Sequence, residues 1–377
     1  MKIVHIINCL DTGGAEIMLL RLLSRIDKTH FQPEVISLTD LGEIACKMRE
    51  YDIPVRALNL RRNGLFYNPL SLLRLSNWLR QGNPALVQTW MYHSNVFGGI
   101  ATKLSGQRPL IWSIRQTNLD LASVRLRTSL IAKGAALLSK ALPDHILYNS
   151  HVSRRAHVAL GYADAHASVI PNGFDLEMHK PDMVAREAVR RELGLNTDAN
   201  LVGLIARYDP QKDHTTFIAA AALLHQQHPA AHFLLAGLAV DNSNMALMAA
   251  ISDVGLTDYC HLLGHRGDTP RLTAALDVAC SSSMGEGFPN TVGEAMACGV
   301  PCVVTDVGDS ALLVGDTGRI APPQRPKVLA QEIALILSMS EDARRSLGQS
   351  ARDRIAASFS LNAIAIAYQD LWYSMAG

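Results

Sequence analysis

The chain has 377 residues, 48% hydrophobic and 18% charged, with a formal net charge of +1. That is more apolar material than one domain of usual size holds, so two domains are expected. Its longest apolar run, Phe217 to Leu224, is far too short to cross a bilayer, which argues against a membrane-spanning chain.

The first apolar stretch, MKIVHIINCLDTGG, is broken by His5 and Asn8 and runs into a glycine turn, so it reads as a strand and not a signal peptide. Cys9, Cys46, Cys260, Cys280, Cys298 and Cys302 lie in apolar surroundings. No second pair or histidine cluster accompanies Cys298 and Cys302. Buried thiols in a cytosolic protein are expected, without metal or disulfide. The small net charge hides a split: Met1 to Asp175 carries 20 Lys/Arg against 12 Asp/Glu, and the remainder 15 against 22. Either the first half faces something anionic or the split is chance surface charge.

In chain order, Ile3–Ile7, Pro33–Leu38, Val55–Leu58, Ala85–Trp90, Leu110–Ile114 and His145–Ser150 read as strands separated by amphipathic segments. One helix begins at Gly14, with Ile17, Leu20 and Ile26 inward and Glu16 in its first turn. After Pro171-Asn172-Gly173 the pattern restarts with ANLVGLIAR, AHFLLAG, CHLLG, LDVACSSS and VPCVVT. Alternating strands and helices of this kind build parallel sheets. The expected architecture is α/β, with two doubly wound Rossmann-like domains, 1–172 and 173–359. A last helix in 360–377, carrying Trp372 and Tyr373, is expected to pack back on the first. Ligands of such sheets bind beyond the carboxyl ends of the strands, so a cleft between two facing domains is the expected place for chemistry.

Several stretches follow strands directly. CLDTGGAEIMLL puts Gly13 and Gly14 at a strand-to-helix turn, where backbone can approach an anion, although a plain tight turn explains them as well. It is not GxGxxG, which disfavours a nicotinamide dehydrogenase. ARYDPQKDH brings Arg207 and Lys212 to one strand end. Two cations there suit a diphosphate, while Asp209 and Asp213 alongside also allow a local salt-bridged loop. SSSMGEGFPNTVGEAMACGVPCVVTD places Glu286 in a loop and Glu294 inside a helix that starts near Pro289 and ends before Gly299. They lack a third ligand for a metal, and nothing supplies the opposed environments of an acid/base pair. Two carboxylates flanking a helix N-terminus suit a ligand with phosphates in its middle and hydroxyls at both ends.

GGAE, IPNGFD, Arg207-x4-Lys212 and Glu286-GFPN-x3-Glu294, followed by AMACGVPCVVTDVG, resemble the retaining GT-B glycosyltransferases of the GT4 family, in that family's order across nearly the whole chain. The resemblance implies a nucleotide-diphosphate sugar held mainly by the second domain. Arg207 and Lys212 would neutralise the diphosphate, Glu286 would bind hydroxyls of the donor sugar with amides from Gly287, Phe288, Pro289 and Asn290 nearby, Glu294 would take the ribose, and Gly14 would approach the phosphates. His93, in QTWMYHSN, sits where the family often has a histidine near the anomeric carbon, though a lone loop histidine is more often structural. Neither metal nor cofactor is implied, and no nucleic acid.

Arg115 and Asn118 in SIRQTN, and Ser150 and Arg154 in YNSHVSRRAH, are candidates for the acceptor, with structural salt bridging an equal alternative for Arg115. LRRNGLFYNPLSLLRLSNWLR and LASVRLRTSLIAKGAALLSKALP mix bases with apolar residues. They read either as ordinary packed helices or as contacts with an anionic membrane surface. The second reading favours a polyprenyl-linked saccharide acceptor at the inner face of the plasma membrane. A nucleotide-sugar epimerase and a catalytically silent sugar-nucleotide binder are the alternative functions.

Overall fold

The computed structural model of the chain describes residues 1–60, 68–106, 108–116, 126–196 and 199–377, and of 126–130 only the backbone. Two compact units emerge, Met1–Gly173 with Leu361–Gly377, and Phe174–Ser360. Parts of both basic amphipathic stretches, 61–67 and 121–125, lie outside the described residues, as does Asn118.

The first unit holds β1 (Lys2–Ile7), β2 (Gln32–Ser37), β3 (Val55–Ala57), β4 (Leu86–Trp90), β5 (Leu110–Ile114), β6 (His145–Tyr148) and β7 (Ala167–Val169). All are parallel, in the order β3-β2-β1-β4-β5-β6-β7. The second unit holds β8 (Asn200–Ile205), β9 (Ala231–Ala236), β10 (Cys260–Leu262), β11 (Val278–Ser281), β12 (Cys302–Thr305) and β13 (Arg319–Ala321). These too are parallel, ordered β10-β9-β8-β11-β12-β13. The apolar runs form strands because helices cover both faces of each sheet, so alternate residues on each strand need burial alike. In β4 and β5 every residue is buried. All four edge strands, β3, β7, β10 and β13, are three residues long. The sequence pattern shows β3 and β10 within the runs VRAL and CHLLG, and shows neither β7 nor β13.

The C-terminal helix, Leu361–Ala376, buries Leu361, Ile364, Ala365, Tyr368 and Trp372, one stripe at helical spacing. That stripe joins the same apolar cluster as Ile3, Leu19, Phe31 and Leu86. Trp372 is fully buried, packs edge-on against Phe31 at 5.5 Å, and donates from Nε1 to Gln88 Oε1 at 2.8 Å. Gln88 Nε2 in turn donates to Ser113 Oγ at 2.6 Å, so both ends of the buried Gln88 amide are paired. Gly293, in the second unit, is required by contact: a Cβ there would stand 2.0 Å from the Phe174 ring.

All six cysteines are free thiols; Cys280, Cys298 and Cys302 are buried as expected, Cys9 and Cys260 only half-buried, and Cys46 is exposed. It lies on the outer side of the Glu43–Glu50 helix, which turns Ile44, Ala45 and Met48 inward.

His5 and His157 are fully buried, and burial pushes their rings from 6.5 down to about 3 and about 4 respectively. Between those values and 6.5 the unfolded chain binds protons that the folded chain does not. Stability is therefore complete above 6.5 and is lost as pH falls through this window. Urea unfolding followed by circular dichroism should show a midpoint that drops on acidification below 6.5. His157→Gln should lessen the drop.

Candidate active site

Each sheet reverses its strand order once, between β1 and β4 in the first unit and between β8 and β11 in the second. At such a reversal the connections leave to opposite sides and open a crevice at the strands' carboxyl ends. The chain places its unusual polar residues after these four strands.

In the second unit, Arg207 follows β8 and Glu286 follows β11. Three bonds sew their loops together: Met284 N–H donates to Gln211 O at 2.8 Å, and Ser282 Oγ donates to the carbonyls of Lys212 at 2.9 Å and Asp213 at 3.0 Å. Asp213 adopts the left-handed region, φ 48°, and caps the following helix by accepting from Thr216 N–H at 3.0 Å. This turn directs Lys212 back over β11, where its Nζ meets Glu286 Oε1 at 2.5 Å. Ser283 Oγ donates to the same oxygen at 2.7 Å, and Thr305 Oγ1 holds the Ser283 carbonyl at 2.6 Å. Glu286 is mostly buried, at 11% side-chain exposure. One of its oxygens is thus committed to a cation and a hydroxyl, while Oε2 accepts no hydrogen bond from a described residue. Gly308, at φ +61°, lets the backbone pass beneath this loop, since a Cβ there would lie 2.5 Å from the Glu286 carbonyl.

Arg207 is more exposed, at 58%, and bonds to Asp209 at 3.0 Å. Burial would raise the Asp209 carboxyl, but the Gln211 N–H, Arg207 and nearby Lys212 outweigh it and hold it low. An exposed pair of this kind stabilises by only about 0–1 kcal/mol, so Arg207 can leave it for a better anion. The helix after the loop is Asn290–Ala297, with Pro289 at the N-cap position. Pro289 has no N–H, so Gly287, Phe288 and Asn290 supply the amides of this stretch. The Phe288 ring packs inward, 6.1 Å from Phe174 and 5.7 Å from Phe359, and only its main chain can meet a ligand. Glu294 stands one turn into the helix, half-buried, with Oε1 3.8 Å from His179 Nε2.

In the first unit, the Gly14–Arg25 helix starts after β1. Gly14 is exposed, and a Cβ added to it would meet nothing within 4 Å, whereas a Cβ on Gly13 would strike Glu16 Oε2 at 2.3 Å. The Gly13 contact is with the movable end of a side chain, and the open approach lies at Gly14. His93 follows β4 in the first turn of the Tyr92–Ser105 helix, half-buried, and burial lowers its pKa. The acceptor candidates are engaged by the fold. Arg115 lies over the Trp90 indole at 5.1 Å and donates to Tyr368 Oη at 3.0 Å and to Asn172. Ser150 is buried and caps the His151–Ala159 helix, and Arg154 pairs with Asp164 at 2.7 Å. Ser283, Ser282 and Thr305 went unread in the sequence. The signal was there for two of them: Ser281–Ser283 is a hydroxyl run at the end of an apolar strand. Among the described residues, no three His, Cys, Asp or Glu side chains gather as metal ligands.

Two parallel Rossmann-like units with their polar loops at the switch points define the GT-B class of glycosyltransferase fold. Residues 12–178 match the family Glycosyltransferase Family 4, and residues 199–339 match Glycosyl transferases group 1. The chain belongs to the GT4-type glycosyltransferases. It is 26% identical over 314 residues to the UDP-Gal:alpha-D-GlcNAc-diphosphoundecaprenol alpha-1,3-galactosyltransferase of Escherichia coli, covering 80% of this chain and 81% of that one. It is also 26% identical over 332 residues to the N,N'-diacetylbacillosaminyl-diphospho-undecaprenol alpha-1,3-N-acetylgalactosaminyltransferase of Campylobacter jejuni, covering 84% and 85%. Among solved structures, Anabaena HepE in complex with UDP and glucose shares the fold at TM-score 0.82 and 24% identity, over 99% of this chain and 100% of that one.

Ser283→Ala removes one of the two donors that orient Glu286. Sugar-transfer turnover should fall by about tenfold, the equivalent of about 1.4 kcal/mol, with the far-ultraviolet spectrum unchanged.

Proposed function

We propose that the chain is a retaining, metal-independent glycosyltransferase that moves a sugar from a nucleotide-diphosphate sugar to a saccharide or lipid-linked acceptor in polysaccharide or glycolipid synthesis. The observation that carries this reading is the Lys212–Glu286 pair at the β8/β11 switch point, with Glu286 Oε2 open. Lys212, already held in place, presents charge to the diphosphate, and Arg207 exchanges Asp209 for it. Oε2 of Glu286 accepts hydroxyls of the donor sugar, and Glu294 those of the ribose. Gly287, Phe288 and Asn290 offer main-chain N–H groups, and Gly14 gives a close backbone approach to phosphate.

As the bond from the anomeric carbon to the phosphate oxygen breaks, charge grows on the leaving diphosphate, where fixed cations and amides stabilise it most. The acceptor hydroxyl attacks from the same face and passes its proton to a phosphate oxygen, so neither glutamate acts as a base. His93, kept neutral by burial, steadies the sugar as positive charge develops. The donor class is supported by the relatives, which include a UDP-galactose enzyme, and by HepE bound to UDP-glucose. Both transferases named above act on diphosphoundecaprenol-linked saccharides, which favours a polyprenyl-linked acceptor here.

A cytoplasmic location with peripheral contact at the membrane's inner face belongs to the same proposal. The Pro69–Gly82 helix turns Leu70 and Leu73 outward beside Arg74 and Arg80, a mixture suited to an anionic lipid surface. No helix among the described residues is long and apolar enough to cross a membrane.

A thermal-shift panel of nucleoside diphosphates and their sugars should give at least one strong stabiliser, about 2.7 kcal/mol at a hundredfold excess over Kd, and Lys212→Ala should abolish the shift. No response to any diphosphate would remove the reading. Separately, the protein should float with anionic liposomes at low salt and be released as salt rises; indifference to both would end the membrane proposal.

A further inference from the structure

His93 has no hydrogen bond on its ring from a described residue, yet the residues on both sides of it are tied down. On one side, Tyr92 Oη lies 2.5 Å from His157 Nε2. On that imidazole, Nδ1 is 2.7 Å from the Ser153 carbonyl, which can only accept. Nδ1 therefore carries the proton, Nε2 offers its lone pair, and the Tyr92 hydroxyl donates. Tyr148 at 5.7 Å and Tyr162, edge-on at 5.0 Å, enclose the ring and keep it dry. On the other side, Ser94 N–H and Oγ both donate to Asn8 Oδ1, at 3.0 and 2.6 Å. Asn8 comes from the end of β1 and does the capping that Met91, at the N-cap position, cannot do.

Met91 itself has φ +75°, a region costly for a residue with a side chain. Its N–H is held by the Ser113 carbonyl at 3.1 Å and its own carbonyl by Asn95 N–H at 2.8 Å. The turn therefore leaves β4 at an angle that it would not keep alone, fixed from β1, β5 and the His151–Ala159 helix. An apolar pair would fill the place of Tyr92 and His157 with less desolvation, but it would not be directional.

We propose that Tyr92, His157 and Asn8 are positioning residues that hold the first turn of the Tyr92–Ser105 helix so that His93 presents its ring at one fixed angle to the reacting sugar. This inference rests on the role given to His93 above. No new chemistry is added: the three residues act through the orientation of one imidazole.

Tyr92→Phe keeps the ring and deletes the donor. Turnover should fall by about threefold to tenfold, with KM for the donor sugar within about twofold of the parent, as for loss of one directional hydrogen bond. His157→Leu should do the same, and His157→Gln, whose amide oxygen can accept from Tyr92, should recover most of the turnover. The decisive measurement is the cycle with His93→Ala. If Tyr92 works only through His93, Tyr92→Phe costs nothing further in the His93→Ala background. Asn8→Ala gives the same test if Tyr92→Phe does not fold. Losses that multiply in the double variant, or a Tyr92→Phe enzyme of full turnover beside an impaired His93→Ala, would overturn the positioning role and leave His93 in place. A His93→Ala enzyme of full turnover would remove the reading of His93 itself, and the inference with it.

Discussion

A parallel sheet has to send its chain back across a face after every strand, and where the strand order reverses, two neighbouring connections part. Both sheets here meet that constraint once, at β1/β4 and at β8/β11. The carboxyl ends beside each reversal carry loops that no neighbouring crossover covers. Polar side chains can be kept there without the cost of full burial. The candidate site residues of the described chain, Gly14, His93, Arg207, Lys212, Glu286 and Glu294, follow these four strands.

At the second of these places the fold brings a lysine and a glutamate together with limited solvent, 21% and 11% exposed. A pair so placed contributes little net stability compared with apolar packing of the same volume, because desolvation offsets most of the attraction. What it provides is definite placement. The direction of Lys212 is set within the fold, and Ser283 and Thr305 extend the same order one step further from the carboxylate. Arg207, exposed and tied to Asp209, is the less constrained counterpart. One cation is therefore held in a largely buried pair and the other in an exposed one.

The first unit shows how polar residues at strand ends can serve architecture. Arg115 and Ser150 look like ligand residues in a linear reading, since both follow strands. Arg115 is instead spent on Trp90, Tyr368 and Asn172, and Ser150 on a helix cap. For Arg115 the reason lies in the C-terminal helix. Returning to the first unit, it buries Tyr368 and Trp372 against β1 and β4 and needs polar partners for their hydroxyl and indole N–H. A strand-end arginine and Gln88 supply them.

The sequence alone determined the class of fold and the strand ends at which the candidate site residues stand. Apolar runs alternating with amphipathic ones permit little but parallel sheets, and the Gly13-Gly14, Arg207, Lys212, Glu286 and Glu294 motifs stand at fixed offsets from those runs. Local spacing carries this because Arg207, Lys212 and Glu286 lie within seven residues of the strands that precede them. It failed for β7 and β13, two of the four three-residue edge strands, which are recognised as strands by their pairing with a neighbour. Only the tertiary structure decided which polar side chains meet. Lys212 and Glu286 are 74 positions apart, Tyr92 and His157 65, and Asn8 and Ser94 86. Contacts over such separations leave no periodicity in the chain; they arise only when packing brings the elements together.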